Sequence, residues 1–172
     1  MNTVGHIKSG LLLGDKQYGW AMAAFGIGAA VAAFVAGNLD KSKSRRVSLI
    51  VGVLLLGLAI TGANYVSYTV LLILWLFAGL GQSLAEMPSE TLIGENIVSA
   101  EQGKVFGSHF AFSHLWWAIA YPIAGFTGSH FPGNDFFYGG LISLGILITA
   151  LLFISKQINN KFYNPLIIKK SK

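Results

Sequence analysis

The chain has 172 residues, of which 53% are hydrophobic and only 11% are charged. Soluble domains carry roughly 25% charged residues, so the composition excludes an ordinary soluble protein. The 12 basic and 7 acidic residues give a formal net charge of +5. In so apolar a chain this excess bears on membrane orientation, and we expect no nucleic-acid partner. The absence of cysteine excludes disulfide bonds and thiol chemistry.

Four long stretches of the sequence carry no charged residue, and they end at the few positions where charges cluster. A bilayer core needs about 20 apolar residues in a helix, so three of the stretches predict one span each. The other, 47–85, is about twice that length and is interrupted by a polar, glycine-containing segment, which predicts a helical hairpin. The sequence therefore predicts an all-α, polytopic helical membrane protein whose transmembrane domain, 18–155, has five spans, at about 18–37, 47–63, 69–90, 105–129 and 136–155.

The lysine and arginine residues predict how these spans are oriented. The connection at 38–46 carries four basic residues, and the tail at 156–172 carries five lysines and no acid. The connections at 64–68 and 130–135 carry neither lysine nor arginine. Placing the basic segments inside predicts a multi-pass protein of the cell (inner) membrane with a cytoplasmic C-terminus.

Five spans with an internal C-terminus place the N-terminus outside, although residues 1–17 are polar. The apolar patch in this segment, 10–13, is too short to cross a bilayer. We therefore expect residues 1–17 to be an external segment or the end of a missing helix. The chain would then be the C-terminal portion of something larger, or would insert beside a partner that supplies the rest.

The connection after the first span resembles a loop motif of the major facilitator superfamily, G-x-L-a-D-r-x-G-R-R. Gly37, Arg45 and Arg46 fall in register with the motif. Asp40 comes one position early, and Ser44 stands where the motif has glycine. An aspartate and basic residues at this place can bridge helix ends by charge-assisted hydrogen bonds.

Three further segments, 17–28, 101–107 and 121–125, resemble the same family and keep its spacing. Together with the loop motif they match spans eight to twelve of a twelve-span transporter. The resemblance implies two six-span halves with the solute handled near the midplane. It also implies that spans eight and eleven face the other half, that the tenth lines the cavity, and that the ninth and twelfth face lipid.

Two acidic residues, Glu86 and Glu90, lie at the end of the third predicted span. Their spacing of four places them on one helical face, and Pro88 between them is expected to kink the helix and free a backbone carbonyl. Ionisable residues within membrane helices are functional candidates, and proton-coupled transport needs a carboxylate that can load and release a proton. The alternative is that both acids lie at the cytoplasmic headgroup level.

The fourth predicted span contains His109, His114 and Trp117. A histidine within the membrane can relay protons or bind a soft cation, and more often is a hydrogen-bonded interior residue. Trp117 either packs in the interior or forms a wall against which a solute stacks. Gln82, in the preceding span, is a pathway candidate or an interhelical hydrogen-bonding residue.

Other small and polar residues indicate packing contacts. The glycine pairs Gly26 and Gly28, and Gly79 and Gly81, predict close approach of helices, since no strand precedes them as in a phosphate-binding loop. Asn64 is expected to form hydrogen bonds between helices.

The sequence thus favours a proton-coupled exporter, an antiporter that moves a small solute by alternating access. We expect no cofactor, and no enzymatic activity because no nucleophile, base and orienting group occur together. The expected partners are the bilayer, the solute, protons and an N-terminal transporter half. One alternative is efflux of nickel or another metal cation, since 113–122 is similar to family members linked to metal efflux. The other is a truncated or accessory chain that does not transport unless an N-terminal half is present.

Overall fold

The computed structural model describes residues 3–37, 44–131 and 133–163. All secondary structure in these ranges is helical, which confirms the all-α prediction. In chain order the elements are α1 (Thr3–Gly5), a π-helical turn (His6–Gly10), α2 (Asp15–Gly37), α3 (Ser44–Gly62), a 3-10 turn (Ala63–Tyr65), α4 (Tyr68–Asn96), α5 (Ser99–His130) and α6 (Asp135–Tyr163).

The five predicted spans fall on α2 to α6. Four of these helices, α2, α3, α4 and α6, are long and apolar enough to cross a membrane. The helix α5, with 32 residues, exceeds the roughly 20 that a bilayer requires but is not among the four. Its glycine, serine and histidine residues lower its hydropathy, and its crossing of the bilayer stays a prediction.

The helices pack as a chain of neighbours with α4 between α2 and α3. The helix α4 packs against both α2 and α3, and α3 packs in turn against α6. The helix α5 makes only slight contact with α4 and α6, and along its length, all of which the structure describes, no residue is buried. Of the five long helices, α5 therefore leaves the most surface for a solute or another polypeptide.

Glycine allows α2 and α4 to cross at close range. A Cβ atom on Gly28 would overlap the carbonyl group of Leu76, and a Cβ atom on Gly79 would overlap that of Phe25. The two backbones therefore touch at this crossing, as small residues permit in membrane helices. The predicted close packing at Gly28 and Gly79 is confirmed, whereas Gly26 has open space where its Cβ would lie and its predicted role is wrong.

A second close crossing joins α3 to α4. A Cβ atom on Gly52 would lie 2.6 Å from the carbonyl oxygen of Gly81, and the reverse distance is the same. The prediction for Gly81 is confirmed. Because α4 has glycine at both crossings, its position between α2 and α3 follows from its sequence.

A small aromatic cluster holds the N-terminal segment to the bundle. The rings of Trp75 and Phe136 meet edge to face with centroids 5.3 Å apart, and Ile7 is buried in the same cluster. The sequence predicts that residues 1–17 are an external segment or the end of a missing helix, and it predicts no packing contact for them. The structure shows that their described part packs onto α4 and α6.

Asn64 links the two connections that are predicted to lie outside. Its Nδ2 donates to the carbonyl oxygen of Gly133 and, at 3.3 Å, to Oδ1 of Asn134. Its Oδ1 accepts the backbone N–H of Phe137 at 3.4 Å. The predicted interhelical hydrogen bonding of Asn64 is confirmed.

Candidate functional site

A cleft of about 260 Å³ lies between α4 and α5. Gln82 lines it from α4, and the facing wall is formed by Trp117, Ala120, Tyr121 and Ala124 of α5. At 1.5 Å per residue, Gln82 is about 21 Å from the start of α4 and Trp117 is about 20 Å from the end of α5. The two walls therefore meet at the same depth, at the middle of α4.

Glu86 lies one turn below Gln82 on the same face of α4. The Gln82 side-chain amide donates from Nε2 to Oε1 of Glu86 at 3.1 Å. Both acids, Glu86 and Glu90, have exposed side chains, and neither forms an ion pair within the part of the chain that is described. This hydrogen bond connects the Glu86 carboxylate to Gln82, which lines the cleft.

Pro88 lies inside α4, which continues through it to Asn96. Proline has no N–H, so the carbonyl of Leu84, four residues earlier, loses its helical donor. The hydroxyl of Ser48 in α3 donates to this carbonyl at 2.8 Å. The freed carbonyl that the sequence predicted is therefore present, and it is occupied by a neighbouring helix.

Four ring side chains form a stripe along α5, at positions 110, 114, 117 and 121. The rings of Phe110 and His114 stack at 3.8 Å, and those of His114 and Trp117 at 5.3 Å. Trp117 meets Tyr121 edge to face at 6.0 Å. Since Trp117 and Tyr121 line the cleft, the stripe extends its aromatic wall by two turns towards the start of α5.

The two histidines of α5 do not form a common site. At 100° per residue, positions 109 and 114 point about 140° apart around the helix. Nδ1 of His114 lies 2.8 Å from the carbonyl oxygen of Phe110, so its Nε2 is the ring nitrogen left for another partner. Within the described ranges no three His, Cys, Asp or Glu residues come close enough to hold a metal ion.

The loop motif is only partly within the described structure. Gly37 is the last residue of α2, whereas Asp40 and the Arg46 side chain lie outside the described residues. The Arg45 guanidinium donates from Nη2 to Oε2 of Glu95, near the end of α4. Arg45 thus bridges the start of α3 to the end of α4, the kind of contact that the motif predicted.

Gln102 lies in the first turn of α5. Its Nε2 donates to the carbonyl oxygens of Gly94 and Ile97, each at 3.0 Å. These carbonyls have lost their helical donors at the end of α4. Gln102 therefore caps α4 from the first turn of α5, a role that an amide can perform without a charge.

A larger cavity, of about 510 Å³, lies at the predicted external end, away from the predicted pathway residues. Its lining includes His6, Ser9 and Asp135. Partial burial lowers the pKa of His6, and the Asp135 carboxylate partly opposes that shift. The His6 ring packs edge to face on Phe136 at 5.0 Å. Sequence reasoning missed this cavity, because only the folded chain brings residues 6 and 135 together.

The sequence model of the Major Facilitator Superfamily matches residues 2–165. The chain belongs to this superfamily. Among curated proteins and among solved structures, none matches the chain significantly. Membership makes the chain a multi-pass membrane protein of a transporter family, in agreement with its apolar helices.

Within the superfamily, the geometry separates the predicted pathway residues into two groups. Gln82 and Trp117 line the α4–α5 cleft, His114 lies on the stripe that extends it, and Glu86 is hydrogen-bonded to Gln82. Glu90 lies one turn farther along α4, and His109 points away from the stripe. The cleft therefore involves the two helices to which the family resemblance assigned the cavity and the contact with the other half.

Proposed function

We propose that the chain is the C-terminal part of a proton-coupled exporter that moves a small solute through the α4–α5 cleft by alternating access. The observation that carries the proposal is the cleft itself. It lies near the middle of two long helices, with the Gln82 amide on one wall, aromatic rings on the other, and the Glu86 carboxylate hydrogen-bonded to Gln82. Transporters of this architecture handle their solute near the membrane midplane.

The level of Glu86 bears on its proposed role. Glu86 is about 27 Å from the start of α4, which places it near the cytoplasmic edge of a hydrocarbon core about 30 Å thick. Its neighbour Leu84 bonds to Ser48, close to the start of α3. A carboxylate at this edge of the core can exchange protons with the cytoplasm and is a candidate for proton transfer.

The exposed surface of α5 supports a second transporter half as partner. No residue of this helix is buried, although Phe110, Trp116 and Trp117 are large and apolar. Alternating access requires two halves that rock about the solute site. We therefore propose that the cleft closes between this chain and the six-span N-terminal half of a transporter in the inner membrane, with the basic tail in the cytoplasm.

The second candidate is an accessory chain without transport activity of its own, and the exposure of α5 is compatible with it as well. Metal-cation efflux is less favoured, because His109 and His114 point in different directions and no third ligand joins them among the described residues. The proposal and its two alternatives each predict a different result in one assay.

The test is proton-coupled flux in inverted membrane vesicles, measured with a pH-sensitive dye while a panel of small organic solutes and Ni²⁺ is added. With an N-terminal half made in the same membrane, the proposal predicts solute-dependent proton movement that Glu86→Gln abolishes and the matched surface variant Glu101→Gln preserves. If the chain is accessory, the partner polypeptide carries the flux and the proton movement persists in Glu86→Gln. Proton movement that responds to Ni²⁺ alone and requires His114 would favour metal efflux. Solute flux that is unchanged by Glu86→Gln would refute the proposed proton site.

A further inference from the structure

The α4–α5 cleft combines aromatic side chains in its lining with a carboxylate close by. Trp117 lines the cleft, and its side chain is about half exposed. Opposite it, Gln82 holds the Glu86 carboxylate by a hydrogen bond of 3.1 Å. A carboxylate and an indole ring close to the same cleft both attract positive charge, because the face of the ring carries negative electrostatic potential.

The charged residues of α4 and α5 are mostly acidic, which also favours a cation. Together α4 and α5 carry four acidic residues and one basic residue. Two of the acids form surface ion pairs, one with Arg45 and one with Lys104. The other two, Glu86 and Glu90, have no basic partner within the described ranges, and both lie on one face of α4. The part of α4 next to Gln82 therefore carries an excess of negative charge.

The size and shape of the cleft restrict the ligand further. Pockets for drug-sized ligands typically measure about 300–1,000 Å³, so a cleft of about 260 Å³ suits one or two fused rings. The methyl groups of Ala120 and Ala124 leave room beside Trp117 and Tyr121 for a flat ring to enter. A flat solute can stack on an indole, whereas a hydrated inorganic ion cannot.

We propose that the α4–α5 cleft binds a flat aromatic organic cation, with its rings stacked on Trp117 and its positive charge held by the Glu86 carboxylate. This inference rests on the proposed function, since it names the class of solute handled by the same cleft. Gln82 acts as a positioning residue that holds the carboxylate towards the cleft. A neutral ring of equal shape would gain the stacking but not the charge interaction.

The test uses 1-methylquinolinium, a two-ring cation, and its neutral isostere 1-methylnaphthalene. Tritiated 1-methylquinolinium is equilibrated by dialysis against nanodiscs that hold the full chain, and binding to empty nanodiscs is subtracted. We expect saturable binding that unlabelled 1-methylquinolinium displaces and 1-methylnaphthalene at the same free concentration does not. Equal displacement by the neutral isostere would overturn the assignment to cations.

Variants locate the site. Glu86→Gln should weaken binding by about 10-fold or more, because it removes the charge and keeps the shape. Trp117→Leu should weaken it by about 2- to 30-fold, the range of a cation–π contact, and Trp117→Phe should restore part of the loss. The matched controls are Trp116→Leu, an exposed neighbour that does not line the cleft, and Glu101→Gln at the surface. Both should bind like the unmodified chain.

Three results would overturn the inference: no saturable binding above empty nanodiscs, unchanged binding in Glu86→Gln, or equal losses in Trp116→Leu and Trp117→Leu. Circular dichroism and a single elution peak for each variant separate a lost site from a lost fold, and Glu86→Asp should retain most of the binding. Glu86-dependent flux of neutral solutes without 1-methylquinolinium binding would leave the proposed function intact. Binding of the cation without coupled proton movement would instead refute the proposed function and leave the inferred cation site intact.

Discussion

The substitution Ser48→Ala should destabilise the bundle through a backbone group on another helix. The Ser48 hydroxyl donates at 2.8 Å to the carbonyl of Leu84, which Pro88 deprives of its helical N–H donor. Ser48 is half-buried, and Pro88 is buried. Removing the hydroxyl leaves a partly buried carbonyl without a donor between two packed helices.

The expected size of the effect can be derived from the same contact. Hydrogen bonds between membrane helices contribute about 0.6 kcal/mol on average and up to about 1.7 kcal/mol. Because the Leu84 carbonyl has no second donor, we expect a loss in the upper part of this range, about 1–1.7 kcal/mol. In a Pro88→Ala background, residue 88 regains its N–H and the same serine substitution should cost less than about 0.5 kcal/mol.

The measurement is a double-mutant cycle of reversible unfolding in mixed dodecylmaltoside and dodecyl sulfate micelles, followed by circular dichroism. Ser113→Ala is the matched control, since its hydroxyl bonds at 2.8 Å to the carbonyl of His109, which keeps its helical donor. The cycle should show a coupling energy of about 1 kcal/mol between positions 48 and 88 and a small effect at Ser113. Equal costs of Ser48→Ala in both backgrounds would refute the explanation.

Three other substitutions test the packing and the helix ends. Gly79→Ala should reduce the unfolding free energy by about 1–3 kcal/mol, because its Cβ would overlap α2, whereas Gly26→Ala should be neutral; equal effects would contradict the close crossing. Asn64→Ala should cost about 1–2 kcal/mol in the same assay, since it removes donors and an acceptor between the two connections, and an unchanged midpoint would contradict this role. Arg45→Glu should lower the melting temperature of the solubilised chain, and adding Glu95→Arg should recover part of the loss; no recovery would show that the ion pair contributes little.

The number and order of the helices could be predicted because they depend on local composition. Charge-free stretches mark the membrane spans, and the basic connection at 38–46 and the polar segment at 61–69 mark their ends. The helix termini differ by several residues, since α4 and α5 extend beyond the apolar stretches to Asn96 and back to Ser99. Polar residues there continue the helix outside the predicted spans, where hydropathy gives no signal.

The candidate site was only partly predictable. Glu86 and Gln82 were recognisable as polar residues in an apolar helix, and Pro88 as the cause of a free carbonyl. That Ser48 would occupy this carbonyl, and that Trp117 would face Gln82, depends on how α3, α4 and α5 pack. Such packing contacts join residues that are far apart in the sequence, and no periodicity records them. The His6 and Asp135 cavity was missed for the same reason.

The most direct test of the central claim is whether water reaches the α4–α5 cleft within the membrane. The chain has no cysteine, so single cysteines can be introduced without background. Ala120 lines the cleft, whereas Ala118 does not and points about 160° away from it around α5. Only a thiolate in contact with water reacts with a charged, membrane-impermeant thiosulfonate. The account predicts that Ala120→Cys in membrane vesicles is labelled at least about ten times faster than Ala118→Cys, because a thiol without contact with water stays protonated. Equal labelling rates, or faster labelling at position 118, would contradict a solute pathway between these helices.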